Sequence, residues 1–515
     1  MKAPEIVVFH YHLRPGGVTS VILHSVRAIA AEMPEIERIR IVAGEEPDGK
    51  LREALVAAGR PKGRPVIEID VASELGYAAS DRAAFPDVDR IERLLLDRWG
   101  GRLWWVHNYH IGKNPALTQA LLAVASSRPE QPMLLHIHDL PEAGRFENMR
   151  DLEGTVSLPL YPLLPNVRYA VINDHDRRLL IDAGLPSEVV HLLHNPVEAG
   201  GIPAVRASEI RKRLADSFGA LFPAFRADSP QLFYPVRAIR RKNVHEAALL
   251  AKLSPDHPNL IVTLPGVSAR ERGYSSSLEA AFKSGRIKGM FGIGESLSQA
   301  GIDFPSLAAA TDRVVSTSVQ EGFGYLFADS LRWGKPLVAR NLATLGGIAD
   351  LLRPDAARLY DRLLVPLEVG ERSRLAAAYD RHIDRIASSL LAPQAARDRI
   401  HELLRDEAVD YSYLSVEIQS ELIDAAESSA FCSEVRRMNR ALFDGIEGLA
   451  PPASSAATSL TKHFGYSAHV DALRAIIASF DLVLPDVEVG AEVVQQRLRT
   501  SLETPEYLRL LLASG

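Results

Sequence analysis

Two carboxylates flank a glycine-rich turn in the segment 317–337, which reads TSVQEGFGYLFADSLRWGKPL. Glu321 precedes the turn Gly322–Gly324, and Asp329 lies about 12 Å further along if the residues between them are helical. A helix that begins at this turn would present free N–H groups to an anion. Because carboxylates bind hydroxyls, the segment suits a ligand that is anionic in the middle and hydroxyl-rich at both ends, such as a nucleotide-sugar. The alternative is a helix whose exposed face carries two ordinary acids.

A basic loop follows a predicted strand in the second half of the chain and reads RAIRRK over residues 237–242. Arginine offers a planar fork to phosphate oxygens, and lysine offers a point charge. Arg237 and Lys242 bracket the loop and could hold a diphosphate from two sides. A solvated basic turn and a nucleic-acid patch are the alternatives. The second is disfavoured because the loop lacks neighbouring aromatic residues and the chain has a net charge of −6.

A glycine turn, Pro15-Gly16-Gly17, separates the first predicted strand from the first predicted helix. Glycines let the backbone approach a ligand closely, and the N-terminus of a helix favours an anion. The alternative is a turn that needs glycine only for its backbone conformation.

A His-Ile-His-Asp sequence, residues 136–139, comes at the end of another predicted strand. Ligands of open α/β sheets bind at the carboxyl ends of the strands, so His138 and Asp139 are candidate site residues. A structural hydrogen bond between a histidine and an aspartate is the alternative. A metal site is disfavoured because no HExxH or CxxC spacing accompanies these residues.

Short apolar runs alternate with helical patterns, which predicts an α/β fold with mostly parallel sheets. The alternation stops after Pro196 and restarts near residue 231, with one short helix predicted near 207–219. We therefore predict two α/β domains, followed by a mainly helical region that could pack back on the first domain. The predicted ranges are 1–205, 206–370 and 371–515. Within the last range, the segment 450–459 is predicted to be a flexible connection.

The bulk composition is that of an ordinary globular protein of more than one domain. The chain has 515 residues, with 47% hydrophobic and 24% charged. A single cysteine precludes an internal disulfide, and no apolar run reaches the length of a membrane span. These features favour a cytoplasmic protein that does not bind nucleic acid, and they are compatible with peripheral attachment to a membrane.

Taken together and in this order, four motifs resemble those of the retaining glycosyltransferases of the GT-B fold, family 4-like group. They are Gly16-Gly17, His138, the pair Arg237 and Lys242, and Glu321-Gly-Phe-Gly. The resemblance covers residues 5–345. It implies two Rossmann-like domains that face a cleft, with the acceptor on the first domain and the nucleotide-sugar on the second.

The resemblance also implies roles for these residues. Glu321, His138, Arg237 and Lys242 would be the catalytic group. Arg237 and Lys242 would neutralise the donor diphosphate, Glu321 would bind hydroxyls of the donor sugar, and His138 would approach that sugar from the first domain. The remaining donor contacts would be Gly16, Gly17, Gly322, Phe323, Gly324 and Asp329. Asp329 departs from the family pattern, which has glutamate there, so the ribose contact would be longer, water-bridged or reoriented.

The implied activity is that of a retaining hexosyltransferase that needs no metal ion and no cofactor. Its partners would be a nucleotide-sugar donor and a small-molecule, glycan or glycolipid acceptor. For the acceptor we consider Asn108, Tyr109, Asp139 and Arg145, which follow predicted strands of the first domain. A nucleotide-sugar epimerase of the same fold and a non-catalytic sugar-binding relative stay open, as does the oligomeric state.

Overall fold

Two compact units, each assembled from several stretches of the chain, make up the protein. The computed structural model describes residues 4–59, 65–78, 87–267, 269–483 and 489–509. Unit 1 comprises Met1–Glu198, Ile386–Leu391 and Thr461–Glu503. Unit 2 comprises Ala199–Arg385, Ala392–Leu460 and Thr504–Gly515.

The core of unit 1 is a seven-stranded parallel sheet with the order β3-β2-β1-β4-β5-β6-β7. Its strands are β1 Glu5–Phe9, β2 Arg38–Ala43, β3 Val66–Val71, β4 Leu103–His107, β5 Met133–Ile137, β6 Val167–Val171 and β7 Val190–Leu192. Every residue of β4, β5 and β6 is buried. This burial explains why the central strands have continuous apolar runs instead of an alternating pattern.

Helices connect the strands of unit 1. They are α1 Gly17–Glu32, α2 Gly49–Ala58, α3 Val88–Trp99, α4 Pro115–Ser127, α5 Phe146–Glu153, α6 Asp174–Ala183, α19 Tyr466–Ser479 and α20 Ala491–Leu502. The start of α4 shows how the sequence sets a boundary. The side chain of Asn114 accepts from the backbone N–H of Leu117 (3.0 Å), and Pro115 occupies the first turn, where no amide hydrogen is needed.

Residues late in the chain complete the core of unit 1. Val470 and Leu473 of α19 are fully buried in the same apolar cluster as Ile22 and Ile29 of α1. At the rim of this contact, the Arg474 side chain binds Glu35 at 2.8 Å. Helix α19 is therefore an integral layer of unit 1, although more than 250 residues of sequence that belong mainly to unit 2 separate it from β7.

The core of unit 2 is a six-stranded parallel sheet with the order β10-β9-β8-β11-β12-β13. Its strands are β8 Gln231–Arg237, β9 Asn259–Leu264, β10 Gly289–Phe291, β11 Arg313–Ser316, β12 Leu337–Arg340 and β13 Ala357–Tyr360. A separate antiparallel pair consists of β14 Leu364–Pro366 and β15 Ala408–Asp410. The two parallel sheets with their helices confirm the predicted α/β class.

The helices of unit 2 include the predicted short helix after the first unit. They are α7 Ala207–Phe218, α8 Val244–Leu253, α9 Ala269–Lys283, α10 Phe304–Ala309, α11 Tyr325–Trp333, α12 Gly346–Ala349, α13 Val369–Ile386, α14 Pro393–Leu403, α15 Val416–Ala425, α16 Ser429–Met438, α17 Arg440–Glu447 and α21 Pro505–Leu508. The prediction of a flexible connection over 450–459 is wrong in part, because α18 Ser454–Phe464 begins inside it. Alanine supports a helix even in a serine-rich segment. Throughout the described ranges, no helix combines the length and apolarity that crossing a bilayer requires.

A buried ionic network fastens the antiparallel pair to the sheet of unit 2. The Arg340 guanidinium, at the end of β12, binds Glu246 of α8 and Asp410 of β15, each at 2.6 Å. Tyr360 donates a further hydrogen bond to Glu246 at 2.6 Å. Removing one partner would leave an uncompensated buried charge, so the network holds these elements in one arrangement.

Candidate active site

The loops after β8 and β11 carry most of the predicted donor-site residues, and they meet at one edge of the sheet. The two strands are parallel neighbours, so their carboxyl ends lie side by side. Strand β8 ends at Arg237, which is half-buried. Among the described residues, the Arg237 guanidinium has no hydrogen-bonding or ionic partner, so all its donors are available to a ligand.

Lys242 and Glu321 are brought together across 79 residues of sequence. The Lys242 ammonium donates to the Glu321 carboxylate, and both side chains are 14% exposed. Arg241 approaches the other carboxylate oxygen at 3.8 Å. Burial by itself would raise the pKa of Glu321, but the positive charges of Lys242 and Arg241 outweigh burial and hold that pKa below its usual value. Glu321 is therefore a carboxylate at neutral pH.

Hydrogen bonds from β8 and from the turn of Thr344 fix the loop that ends at Glu321 and the neighbouring loop of Lys242. Tyr234 of β8 donates to the carbonyl of Lys242 (2.7 Å) and shares a hydrogen bond with Ser318 (2.9 Å). Thr344 donates to the carbonyl of Glu321 itself at 2.6 Å. The loop of Glu321 is therefore tied to the middle of β8 and to the short turn at Thr344.

Arg509 braces the same loop from the far end of the chain. Its guanidinium donates to the carbonyl of Val319 (3.0 Å) and to the hydroxyl of Ser412 (3.0 Å), and it lies 5.3 Å from the ring centre of Tyr413. Sequence reasoning missed this contact, since 190 residues separate Arg509 from Val319 and no motif surrounds either residue.

The Gly322–Gly324 turn leads directly into α11. Gly324 is the residue before the helix and has φ +79°, a conformation that glycine adopts at little cost. A Cβ atom added there would lie 2.7 Å from Cδ2 of Leu345. Phe323 is 5% exposed and packs edge-to-face on Tyr325, with ring centres 5.0 Å apart. With no acidic residue in its first turn, α11 presents N–H groups that suit an anion.

Asp329 lies in the middle of α11 and has a partner of its own. Its carboxylate binds the Arg332 guanidinium at 2.7 Å, and its side chain is 23% exposed. Burial raises the pKa of Asp329 above its usual value, and Arg332 opposes that rise. The ribose role implied by the resemblance thus requires Asp329 to bind hydroxyls while it is also paired with Arg332.

The glycines of unit 1 lie where β1 leads into α1. Gly16 and Gly17 are exposed. Gly16 has φ 176°, an extended conformation open to any residue. A Cβ on Gly16 would come no closer than 3.8 Å to another atom, and one on Gly17 would meet nothing within 4 Å. Nothing in the described part of unit 1 therefore requires glycine at these positions.

His138 follows β5 and is 5% exposed. Its backbone N–H donates to Oδ1 of Asn108 (2.8 Å), and its Nε2 shares a hydrogen bond with Nδ1 of His107 (2.8 Å). Burial lowers the pKa of His138 to about 4, and the charge of Asp139 opposes that shift. The imidazole is therefore neutral near pH 7, and its hydrogen bond with His107 fixes the orientation of the ring.

Three buried histidines, His107, His136 and His138, offer ring nitrogens within 4.8 Å of one another, the spacing of a metal site. The hydrogen bonds indicate a different arrangement. The Trp105 indole donates to Nδ1 of His136 (3.1 Å), so the other nitrogen of that neutral ring carries the proton and has no lone pair for a metal. His107 is bonded to His138, whereas Nε2 of His136 has no hydrogen-bonding partner among the described residues, so the cluster contains two separate hydrogen bonds and not a continuous chain.

The four residues considered for the acceptor divide into two pairs. Asn108 and Tyr109 are 2% and 0% exposed, and the Tyr109 hydroxyl donates to the carbonyl of Leu160 inside the unit. Asp139 and Arg145 are half-buried and form an ion pair at 3.1 Å. Only the second pair reaches the surface of unit 1.

No protein-family model matches the chain. The full sequence is similar to mannosylglucosyl-3-phosphoglycerate synthase of Petrotoga mobilis, with 30% identity over 456 residues. This similarity covers 86% of the chain and 85% of the relative.

Among solved structures, the chain resembles HepE of Anabaena in its complex with UDP, with 14% identity and a TM-score of 0.51 over 92% of this chain and 100% of that one. It resembles HepE in complex with UDP and glucose equally well, with 15% identity and a TM-score of 0.51 over 92% and 99%. At these identities the likeness concerns the fold, which agrees with the predicted GT-B architecture.

Proposed function

We propose that this chain, which belongs to the mannosylglucosyl-3-phosphoglycerate synthase family, transfers a mannosyl group from a nucleotide-diphosphate-sugar to a hydroxyl of an acidic glycoside. The name of the relative describes a mannosyl group joined to glucosyl-3-phosphoglycerate, a compound with one phosphate and one carboxylate. The observation that carries the proposal is the grouping of an unpaired Arg237 with the Lys242–Glu321 ion pair at one sheet edge.

Unit 2 supplies the donor contacts. Arg237, with no partner among the described residues, binds the diphosphate, and Lys242 shares its protons between that diphosphate and Glu321. The remaining acceptor positions of the Glu321 carboxylate bind hydroxyls of the donor sugar. The N–H groups at the start of α11 add to the positive potential at the phosphates, and Asp329 binds the ribose beside Arg332.

Unit 1 contributes Gly16-Gly17 and His138. Neither glycine is needed for conformation or for space within the described fold, which supports a requirement set by a ligand that approaches the backbone closely. The neutral ring of His138, oriented by His107, offers a hydrogen bond to a sugar hydroxyl without adding a charge.

The proposed reaction retains the anomeric configuration. The bond between the anomeric carbon and the diphosphate oxygen breaks, and the acceptor oxygen forms its bond on the same face. The proton of the acceptor hydroxyl passes to the departing diphosphate. Arg237, Lys242 and the α11 N-terminus stabilise the negative charge that develops there, so no metal ion is required in this mechanism.

A thermal-shift screen of nucleotide-sugars and free nucleotides, followed by mass spectrometry of mixtures with and without acceptor, tests this function. We expect stabilisation by one nucleotide-diphosphate-mannose and a product that carries one added hexose only when acceptor is present. Conversion of the donor without acceptor would indicate an epimerase. Donor binding without turnover on glucosyl-3-phosphoglycerate or other acidic glycosides would indicate a non-catalytic relative.

A further inference from the structure

We propose that unit 1 binds the acid groups and the sugar of the acceptor on a basic surface around Tyr77, and this inference rests on the proposed function. We call this surface the Tyr77 platform. It consists of Tyr77, His12, Arg14, Lys113 and Arg145. Of these residues, only Arg145 was among those considered for the acceptor from sequence.

An exposed aromatic ring is the centre of the platform. Tyr77 is 47% exposed, which is unusual for a large hydrophobic side chain in this protein. His12 fixes one edge of the ring, with its Nε2 atom 3.0 Å from the Tyr77 hydroxyl. The Lys113 ammonium lies 5.4 Å from the ring centre. The backbone is tied as well, because Ala78 donates to the carbonyl of Lys113 (2.9 Å).

Two arginines add further positive charge around this ring. The guanidinium of Arg14 binds Glu45, and that of Arg145 binds Asp139 at 3.1 Å. Arg14 lies beside His12, because its backbone N–H donates to Nδ1 of that ring (3.2 Å), and Arg145 follows β5, the strand next to the one that precedes Lys113. With Lys113, the platform therefore contains three permanently charged cations.

Arg14 can exchange its partner for a ligand at little cost. Arg14 is 65% exposed and Glu45 is 35% exposed, and ion pairs with this exposure contribute no more than about 1 kcal/mol. A phosphate offers more acceptor oxygens and more charge than either carboxylate, and arginine matches its geometry with two parallel hydrogen bonds. Bound acceptor would thus take the place of Glu45 on Arg14, and Arg145 would keep Asp139 as a partner while it adds its charge to the platform.

The position in the fold agrees with a substrate site. The platform residues follow four different strands of one parallel sheet: His12 comes after β1, Tyr77 after β3 and Lys113 after β4. Arg145 follows β5 in the same way, seven residues after His138. All four therefore lie at the carboxyl edge of the sheet, where ligands of α/β proteins bind.

The chemistry points to a glycoside that carries two acids. A sugar ring can pack on the exposed part of the Tyr77 ring, where Lys113, which lies over that ring, and the arginines reach its acid groups. A neutral glycan would leave these cations unused, so the platform selects for the phosphate and carboxylate of the acceptor.

Acceptor kinetics on the full-length protein test the platform. Lys113→Met and Arg145→Met remove one cation each, and Tyr77→Leu removes the ring. Arg93→Met, on the exposed face of α3, is the matched control. With glucosyl-3-phosphoglycerate, we expect each platform variant to raise the acceptor KM by about tenfold or more, the value of one charge-assisted hydrogen bond. The donor KM and the slow hydrolysis of donor without acceptor should not change, and Arg93→Met should match wild type.

The same kinetics are then measured with the dephosphorylated acceptor, glucosylglycerate. Glucosylglycerate keeps only the carboxylate, so we expect at least one of Lys113→Met and Arg145→Met to lose more with the phosphorylated acceptor than with glucosylglycerate. An unchanged KM for the phosphorylated acceptor, or equal losses with both compounds for both variants, would overturn the platform while leaving glycosyl transfer intact.

Direct titration keeps the two proposals separate. If wild type transfers no sugar, calorimetric binding of glucosyl-3-phosphoglycerate to wild type and variants still decides the inference. Weaker binding by the platform variants alone would support the platform although the proposed function had failed. Equal binding by all proteins, or no binding to wild type, would refute it.

Discussion

The ammonium of Lys242 and the carboxylate of Glu321 form an ion pair between the loops that follow two neighbouring strands, with each side chain 14% exposed. The pair joins the group assigned to the donor phosphate with the group assigned to the donor sugar. Lys242 therefore has two tasks, since it also keeps Glu321 ionised in a buried position. Arg237 has no such partner among the described residues. Mutation of the two cations should therefore affect stability differently.

Replacement of either cation by alanine should reduce kcat by orders of magnitude, because each neutralises the departing diphosphate. Only Lys242→Ala should also lower the free energy of unfolding, by about 1–3 kcal/mol, since Glu321 then loses its partner. Steady-state kinetics and urea unfolding measure the two effects. Lys212→Ala, an exposed position on α7, is the control. Near-native activity of both variants would show that the diphosphate binds elsewhere.

Alanine variants of two glycines at opposite ends of α11 allow the cost of backbone strain to be measured separately from an effect on donor binding. Gly324 and Gly334 both have positive φ, +79° and +64°. Gly334→Ala meets no atom within 4 Å, so it should cost only the strain, about 1 kcal/mol, with the donor KM unchanged. Gly324→Ala should add a contact with Leu345 and raise the donor KM, measured by isothermal titration or kinetics. Equal effects of the two variants on the donor KM would contradict a donor contact at Gly324.

A buried acid in unit 1 should make stability depend on pH. Burial raises the pKa of Glu142 from 4.5 to about 7, although the Tyr161 hydroxyl donates to it at 2.9 Å. The folded state thus binds this proton more tightly than the unfolded state, so the contribution of Glu142 to stability falls as pH rises from about 4.5 to about 7 and then levels off.

Glu142→Gln removes this dependence. Relative to wild type, the variant should gain about 3 kcal/mol of unfolding free energy between pH 4.5 and pH 8, measured by urea unfolding at each pH. Glu130→Gln, at an exposed position, should follow the wild-type curve. Parallel curves for Glu142→Gln and wild type would exclude Glu142 as the titrating group.

Arg509 should act as a positioning residue for the loop that carries Glu321. Arg509→Met leaves the carbonyl of Val319 without its donor, so we expect a loss of about 1.5–3 kcal/mol in stability and a higher donor KM. Arg509→Lys keeps the charge and should restore part of both. Arg353→Met, at a position 72% exposed, is the control. A stability loss with an unchanged donor KM would make Arg509 purely structural.

The sequence predicts the elements better than it predicts their contacts. NLIVTLPG marks β9 by a nearly continuous apolar run, as a buried parallel strand requires, whereas RIRIVAG marks β2 although its two arginines are only partly buried. The α/β class and the assignment as a glycosyltransferase are confirmed by the fold and by the family. Membership of family 4 and retention stay predictions.

Contacts between distant segments explain the rest. The ion pair of Lys242 with Glu321 and the hydrogen bond of Arg509 with Val319 join residues 79 and 190 positions apart, and no local pattern encodes such pairs. Sequence alone also could not show that Asn108 is buried, because a polar residue after a strand is more often exposed. Its side chain instead accepts from the backbone N–H of His138.

The structure of the product tests the proposed mannosyl transfer most directly. The protein would be incubated with nucleotide-diphosphate-mannose and glucosyl-3-phosphoglycerate, and the anomeric configuration of the new linkage would be read by NMR from its one-bond carbon–hydrogen coupling. We expect one added mannosyl group with the anomeric configuration of the donor. A linkage of inverted configuration would contradict the proposed mechanism, and a donor left unused or epimerised would contradict the proposed function.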